Sequence, residues 1–584
     1  MLARFATLRS VVPTLILAAA FIPFLSAQQP TSGGDTQPQP SLKVSTRIVL
    51  VDVVATNGKN EPLTDLTAGD FTVFENGKPQ PVSNFSLQQP AAQGSASNES
   101  PGAAPAPALL PNVFSNVPHY KAASVWNVLL LDYMNSQVIS QADLRQQLAK
   151  ILGKLPDEPL AVYLLTDKLR LIQDFSTDRA ALKQMILALK NNISPNLDNA
   201  KGGHEMERYP AGFLGSLPPA NREAVIRMEA QSTSNRNNLR LDATVAALTR
   251  IVANVAALPG RKNLIWVSQS FPFSIDPGSV VTGYDSTTGR QFRVRVPAAA
   301  NALLDSQVAI YPIDPSGVHA PDFFDPAART DALGEKETNI GPNNTESKLR
   351  TADGVTHASV NELAERTGGR AFYNLNDVGG AIAESMRDGG TYYTLAYYPA
   401  DKKWDGKFRR ITVKVKRGGV KLRYRSGYFA LDPAVAVGQS NPEQDAMFRQ
   451  AMEIDAPIST SLLFSSKVIL PSPPQNAVLF NFLVQPGAFS TEEQSDGSQR
   501  ISVECAVQAF TEKGEPVGGA GNTMAGVLKP EAYERVSRDG FPCRQTLELH
   551  PGKYLLRLGV RDNLNGRIGT VDASVNVPEP AIAN

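Results

Sequence analysis

Between residues 125 and 373 the sequence alternates apolar, strand-like runs with helical periods, and this narrows the possible folds more than any other feature. Val125–Leu131 is an apolar run of the kind buried on both faces of a parallel sheet. Ser140 stands where a helix cap belongs, and Leu144, Leu148, Ile151 and Leu152 share one helical face. LAVYLLT reads as the next strand and LRLIQDF as a short one. A second helix carries Leu182, Met185, Ile186 and Leu189 at helical spacing. After a polar insertion at 192–240 comes a third, with Val245, Leu248, Val252 and Val255, stopping at Pro259-Gly260. KNLIWVSQ and QVAIYPID read as strands, HASVNELAERTGG as a helix ended by Gly368-Gly369, and RAFYN as a last strand. Such an order calls for a doubly wound α/β domain, a mostly parallel sheet with helices on both faces.

At 584 residues the chain is too long for one core, and the flanks have a different character. Asn57-Gly58 and Asn76-Gly77 sit between β-rich runs, so 42–90 reads as a small antiparallel β-module. Residues 91–118 have the composition of a disordered linker. The α/β domain is then 119–390, and 391–431 reads as three strands with turns at Asp405-Gly406 and Gly418-Gly419. Because an inserted domain has close termini, that β-segment is expected to pack on the 42–90 module. Tyr392, Tyr393, Tyr397 and Tyr398 read as strand residues with one face buried rather than a stacking platform. A linker with a short helical piece at 432–453 leads to a C-terminal β-sandwich at 454–580. Cys505 and Cys543 both lie in that sandwich and are candidates for a disulfide, with two buried free thiols as the alternative.

The N-terminus has Arg4 and Arg9, an apolar run and then Leu25-Ser26-Ala27, which is the layout of a secretory signal over 1–27; residues 28–41 follow as a linker. Nothing later in the sequence is apolar enough to span a membrane, so an exported chain is expected: periplasmic, outer-surface or extracellular. The formal net charge of +1, with no long basic block, implies no bulk attraction to nucleic acid or to an anionic membrane.

In an open parallel sheet, sites form beyond the carboxyl ends of the strands. Here those ends are Asp132-Tyr133-Met134-Asn135-Ser136, Thr166-Asp167, Ser268-Gln269-Ser270 and Asp314-Pro315-Ser316, oxygen-rich sets of the kind a hard divalent ion takes. Together with NVLLLD, NLIWVSQSFP, VAIYPIDPSG and LAERTGGRAFYN, they resemble a von Willebrand factor type A domain. The wider arrangement over 44–431 resembles the VWFA-related proteins that certain bacteria export, with a β-module before the A domain and a YYTLAYYPADKKWDGKF-type segment after it. The resemblance implies a Rossmann-type fold and recognition of a protein or surface polymer. It also implies a site for Mg²⁺ or another divalent cation built on an Asp-x-Ser-x-Ser run, a later Thr and a later Asp. Asp132 matches the first position and Ser136 the last, with Asn135 as a neighbouring oxygen donor. Met134 stands at the middle serine, Ser268-Gln269-Ser270 stand where the late Asp belongs, and the Thr would fall in the 192–240 insertion. A thioether is a poor ligand for a hard ion, so the motif is degenerate. The alternative is that Asp132 and Ser136 only hydrogen-bond their loop.

Enzyme patterns fail. HEMER at 204–208 lacks the second histidine of a zinc-protease helix, and the five histidines form no ligand spacing. No nucleophile elbow or phosphate loop is present. The expectation is therefore a non-enzymatic, exported binding or adhesion protein. Its binding face would hold Tyr133, Met134, Ser268, Ser270 and Asp314, and its partner would be a protein or envelope polymer, not nucleic acid. A metal-free envelope scaffold is the second reading, and an extracellular hydrolase the third.

Overall fold

The computed structural model describes residues 48–89, 110–120, 123, 125–136, 138–191, 216–269, 271, 301–317, 360–430, 442–471 and 477–579. The signal segment 1–27, the linker 28–41, the HEMER stretch and Ser270 lie outside them, as do 42–47, most of 91–118, the first half of the 192–240 insertion and 432–441 of the second linker. Several β-sheets and helices make a mixed α/β chain.

The first strands are β1 (Val49–Thr56), β2 (Phe71–Glu75), β3 (Lys78–Gln80) and β4 (Val82–Gln88). Only β2 and β3 form a hairpin, turned by Asn76 and Gly77, both at positive φ. Asn57 instead closes a loop, its Oδ1 accepting from the backbone N–H of Lys59 and Glu61. Next comes β5 (Val113–Ser115), which corrects the expectation of a linker through 118. It is a short strand whose backbone groups are paired far along the chain, in the C-terminal region.

Among the described residues the α/β domain has five strands: β6 (Val125–Asp132), β7 (Leu160–Leu165), β8 (Leu169–Ser176), β9 (Arg261–Val267) and β10 (Val308–Ile313). They lie in the order β10-β9-β6-β7-β8, all parallel except the edge strand β8. Its helices are α1 (Val138–Ile151), α2 (Arg179–Ala188), α3 (Pro219–Val255) and α4 (Val378–Arg387). Alternate residues of β6 point to opposite cores. Trp126, Val128 and Leu130 pack with the last turns of α3 and with the helical segment 360–367, while Leu129 and Leu131 pack with α1, α2 and α4. α3 begins at Pro219, so the second half of the expected polar insertion is helix. A proline suits the first helical turn, and no glycine interrupts the run behind it. α1 begins before Ser140, which is therefore not its cap. RAFYN contributes one bridge, Phe372 to Ile313, rather than a strand. Gly369 is needed there, because a Cβ would stand 2.0 Å from the Ile310 carbonyl oxygen.

Beyond the α/β domain run β11 (Tyr392–Tyr397), β12 (Phe408–Val415), β13 (Lys421–Arg423) and β14 (Gly427–Phe429), four strands rather than three. They interleave with the N-terminal strands in two sheets, β13-β1-β11-β4 and β14-β12-β2-β3. The stretch 42–90 is thus not a module by itself: among the described residues, the strands that β1 pairs with all come more than 300 residues later. Tyr392, Tyr393 and Tyr397 are buried and Tyr398 is exposed. Between the two sheets Glu75, 3% exposed, accepts hydrogen bonds from the hydroxyls of Tyr397 (2.8 Å) and Tyr428 (3.0 Å) and from Arg409 (3.3 Å). Arg409 also donates to the carbonyls of Asp401 and Lys403 and lies over the Trp404 ring.

Where this β-unit meets the α/β sheet, Lys262 is 2% exposed, in register with Trp126 and Val308. Burial pushes its ammonium down to about 8, partly opposed by Asp52. Asp52 accepts from Gln307 and Thr394, and burial raises its own carboxyl. Below about pH 8 the folded state carries a buried cation that the unfolded state solvates freely; above the ordinary value of 10.5 neither state is charged. Stability attributable to Lys262 therefore rises as pH climbs through that window. Lys262→Met is expected to stabilise the protein at pH 7 by about 1–3 kcal/mol. The advantage fades between about pH 8 and 10.5, which urea midpoints at several pH values would show. A gain independent of pH would contradict it.

The C-terminal region begins with α5 (Pro442–Ala451), followed by β15 (Phe464–Ile469), β16 (Ala477–Val484), β17 (Glu492–Glu493), β18 (Gln499–Phe510) and β19 (Pro516–Leu528). Then come α6 (Pro530–Asp539), β20 (Phe541–Glu548), β21 (Gly552–Asp562) and β22 (Ile568–Val577). Two antiparallel sheets, β20-β16-β15-β5 and β17-β18-β21-β22 with β19 beside β18, share one apolar core. Cys505 and Cys543 are joined there as a disulfide. α5 packs across the outer face of the second sheet, where Gly559 leaves room for Met452. Beneath it Arg557, fully buried, donates to the carbonyls of Ala451, Ala456 and Pro457 and to Asp572. The 442–453 part of the expected linker is thereby fastened to the sheet.

Candidate functional site

β10, β9 and β6 are parallel neighbours, so their carboxyl ends deliver Asp314, Ser268 and Asp132 to one edge of the sheet. Asp132 is 0% exposed. Its Oδ1 accepts from the Asn135 backbone N–H (2.9 Å). Its Oδ2 accepts from Asn135 Nδ2 (2.8 Å), Trp266 Nε1 (3.0 Å) and Ser268 Oγ (3.0 Å). Burial raises the Asp132 carboxyl above the ordinary range, against the opposing pull of these donors.

A second layer reaches in from α3. Asn135 Oδ1 accepts from Arg240 Nε (2.9 Å), and Asn135 Nδ2 also donates to Thr244 Oγ1 (3.1 Å). Thr244 in turn donates to the Arg240 carbonyl one helical turn back. Gln141 of α1 donates to the Tyr133 and Ser136 carbonyls and holds the loop from the other side. Ser136 Oγ accepts from the Gln269 backbone N–H (3.3 Å), and Gln269 Nε2 donates to Ser316 Oγ (3.3 Å). Asp314 is half-buried and accepts from the Ser316 N–H in a tight turn. Asp167, at the end of β7, is exposed, and its carboxyl is held low chiefly by the Thr166 hydroxyl.

Asp132, Asn135, Ser136 and Ser268 are therefore gathered in one hydrogen-bonded cluster, with Asp314 at its rim. Three residues expected on a binding face are not on one. Tyr133 is 0% exposed in the core beside α1, and Met134 is 4% exposed in the core beside α3. The reason is local: both backbone N–H groups donate to the Leu165 carbonyl, so the loop folds down over β7 and its apolar side chains turn inward on either side. Ser268 is likewise buried, its hydroxyl spent on Asp132.

An indole N–H only donates, so Trp266 aims a hydrogen where a cation would have to sit. Two more donors converge on the same oxygen, and a guanidinium lies on the far side of Asn135. This arrangement does not fit a hard divalent ion. Among the described residues, no group of three or more His, Cys, Asp or Glu is placed to hold a metal. Arg240, Thr244, Gln141 and Trp266 were not singled out from the sequence. Trp266 alone offered a signal, because a tryptophan inside a buried strand needs an acceptor for its N–H.

No family model matches the chain, and no curated protein does. Among solved structures there are weak likenesses. One is to a von Willebrand factor type A protein from Catenulispora acidiphila, at 8% identity and TM-score 0.19, covering 86% of this chain and 75% of that one. Another is to the ArnB paralog VWA2 from Sulfolobus acidocaldarius, at 8% and 0.20, covering 91% and 76%. A third is to the PilB minor pilin from Streptococcus sanguinis, at 10% and 0.23, covering 47% and 62%. Values this low carry no argument about fold or function, and the chain's own residues carry the functional reading. No helix among the described residues is long and apolar enough to cross a membrane.

Proposed function

We propose that this chain is an exported, non-enzymatic scaffold protein of the cell envelope, built on a doubly wound, von Willebrand A-like domain whose strand-end cluster works without a metal. One observation carries the reading: every oxygen of Asp132 is engaged by protein donors in a site closed to solvent. A carboxylate so placed ties β6, β9 and, through Asn135, α3 into one unit. Three donors converge on Oδ2 and one on Oδ1, and the side chain does not reach solvent. Ser136 and Ser268, where a hydrolase would keep its nucleophile, also point inward. Export is supported by the Arg4, Arg9 and Ala27 layout of the first residues.

Calorimetric titration of Mg²⁺, Mn²⁺ and Ca²⁺ into the mature protein tests the reading. No saturable heat is expected from the native chain or from Asp132→Ala. Saturable binding that disappears in Asp132→Ala would replace the scaffold with a working adhesion site.

A further inference from the structure

A net charge of +1 conceals a strong asymmetry. Residues 401–425 hold eleven Lys or Arg against two Asp, so the remainder of the chain is net acidic. The structure sorts these cations. Arg409 and Arg425 are buried; Arg423, Arg417 and Lys407 pair with Asp388, Asp65 and Asp405. Lys402, Lys403, Arg410, Lys414, Lys416 and Lys421 are exposed and form no ion pair among the described residues, and the first four lie on β12 or on the loop entering it.

Their placement is built. On β12 the buried residues Arg409, Ile411 and Val413 alternate with Arg410, Thr412 and Lys414, which share the solvent side of the sheet. Arg410 and Lys414 are therefore about 13 Å apart along the strand. The Lys414 ammonium lies over the Phe74 ring of the neighbouring β2 at 5.2 Å. Lys402 and Lys403 sit on the loop entering β12. Arg409, anchored on Glu75, grips the Asp401 and Lys403 carbonyls of that loop, so both lysines project from a fixed backbone.

We propose that this solvent face of β12, with its entry loop, docks an extended polyanion, specifically an acidic polysaccharide. The cations are spread along a strand and do not converge on a pocket, which suits repeated charges on a chain rather than one compact anion. A membrane would call for exposed apolar side chains among the cations. The large apolar residues exposed in this β-unit, Ile48 and Tyr398, lie just outside β1 and β11, which are strands of the other sheet. A single-stranded nucleic acid would call for open aromatic platforms, whereas Phe74 and Trp404 are each covered by a cation. The inference does not depend on the metal-free reading of Asp132, which concerns a different sheet.

The test is binding of the mature protein to immobilised polygalacturonate. It is compared with a variant in which Lys402, Lys403, Arg410 and Lys414 are all changed to Gln. The control changes Lys467, Lys513, Lys529 and Lys553 to Gln, lowering the net charge equally in the C-terminal region. The native chain and the control are expected to bind at about 0.05 M salt and to release toward about 0.5 M. The β12 variant is expected to bind about tenfold more weakly with an unchanged melting temperature. No binding at low salt would overturn the proposal. So would equal binding by the β12 variant, equal loss in the control, or preference for phosphatidylglycerol vesicles or oligothymidylate over polygalacturonate.

Discussion

Asp132→Ala is expected to lower stability by about 3–5 kcal/mol, because four buried donors lose their acceptor at once and a hole opens beneath Trp266. Asp132→Asn is expected to recover only part of this. An amide keeps one acceptor oxygen but sets its NH₂ against a donor, either the Asn135 N–H or the group around Trp266 and Ser268. The effect belongs to folding, so the melting temperature of the native chain is expected to be the same in EDTA as in millimolar Mg²⁺. Fluorescence-detected melting of the three proteins in both buffers measures it. A native chain that melts appreciably higher in Mg²⁺, with that increment absent from Asp132→Ala, would show that the carboxylate serves an ion after all.

Glu75→Ala is expected to cost a similar amount, about 3–5 kcal/mol, in the β-unit. It leaves the buried Arg409 guanidinium with only the more distant Asp401 carboxylate at 3.7 Å, and the Tyr397 and Tyr428 hydroxyls without an acceptor. Glu75→Gln keeps an acceptor for the tyrosines and is expected to cost less. Trp404, stacked on Arg409, is the one tryptophan of this unit and reports its unfolding in urea when Trp126 and Trp266 are changed to Phe. An unchanged urea midpoint for Glu75→Ala would mean that the interlocked tyrosines and apolar residues hold the two sheets together unaided.

The sequence revealed what depends on local pattern. β6 was legible because a seven-residue run with a single polar side chain, Asn127, has few places to go but a buried parallel strand. Asp132 was legible as the residue that ends it. The donors to Asp132 were not, because Trp266 comes 134 residues later and is connected only by the parallel register of β6 and β9. Arg240 was hidden for a different reason: it lies in a stretch so polar that nothing marked it as helix, and tertiary contacts decided its structure. In the β-unit, local pattern was actively misleading. β-rich runs and Asn-Gly turns at 42–90 suggested partners close by, while β1 finds its partners in β11 and β13. Strand pairing between distant segments leaves no periodicity to read. The cationic face of β12 was masked by arithmetic, since acidic residues elsewhere cancel it in the total.

The interleaving of β1 and β2 with β11 to β14 has a consequence for the order in which the chain becomes native. β1 must stay unpaired, and β2 paired on one edge only, until more than 300 further residues have been made. Searching for a partner across so long a tether costs loop-closure entropy that a few backbone hydrogen bonds cannot repay. The α/β domain removes most of that cost. Once folded, it fixes its own two ends, replaces a slack tether with a rigid bracket, and raises the effective concentration of β11 around β1. The central domain thus acts as an assembly jig, and whatever loosens it also loosens the β-unit it holds shut.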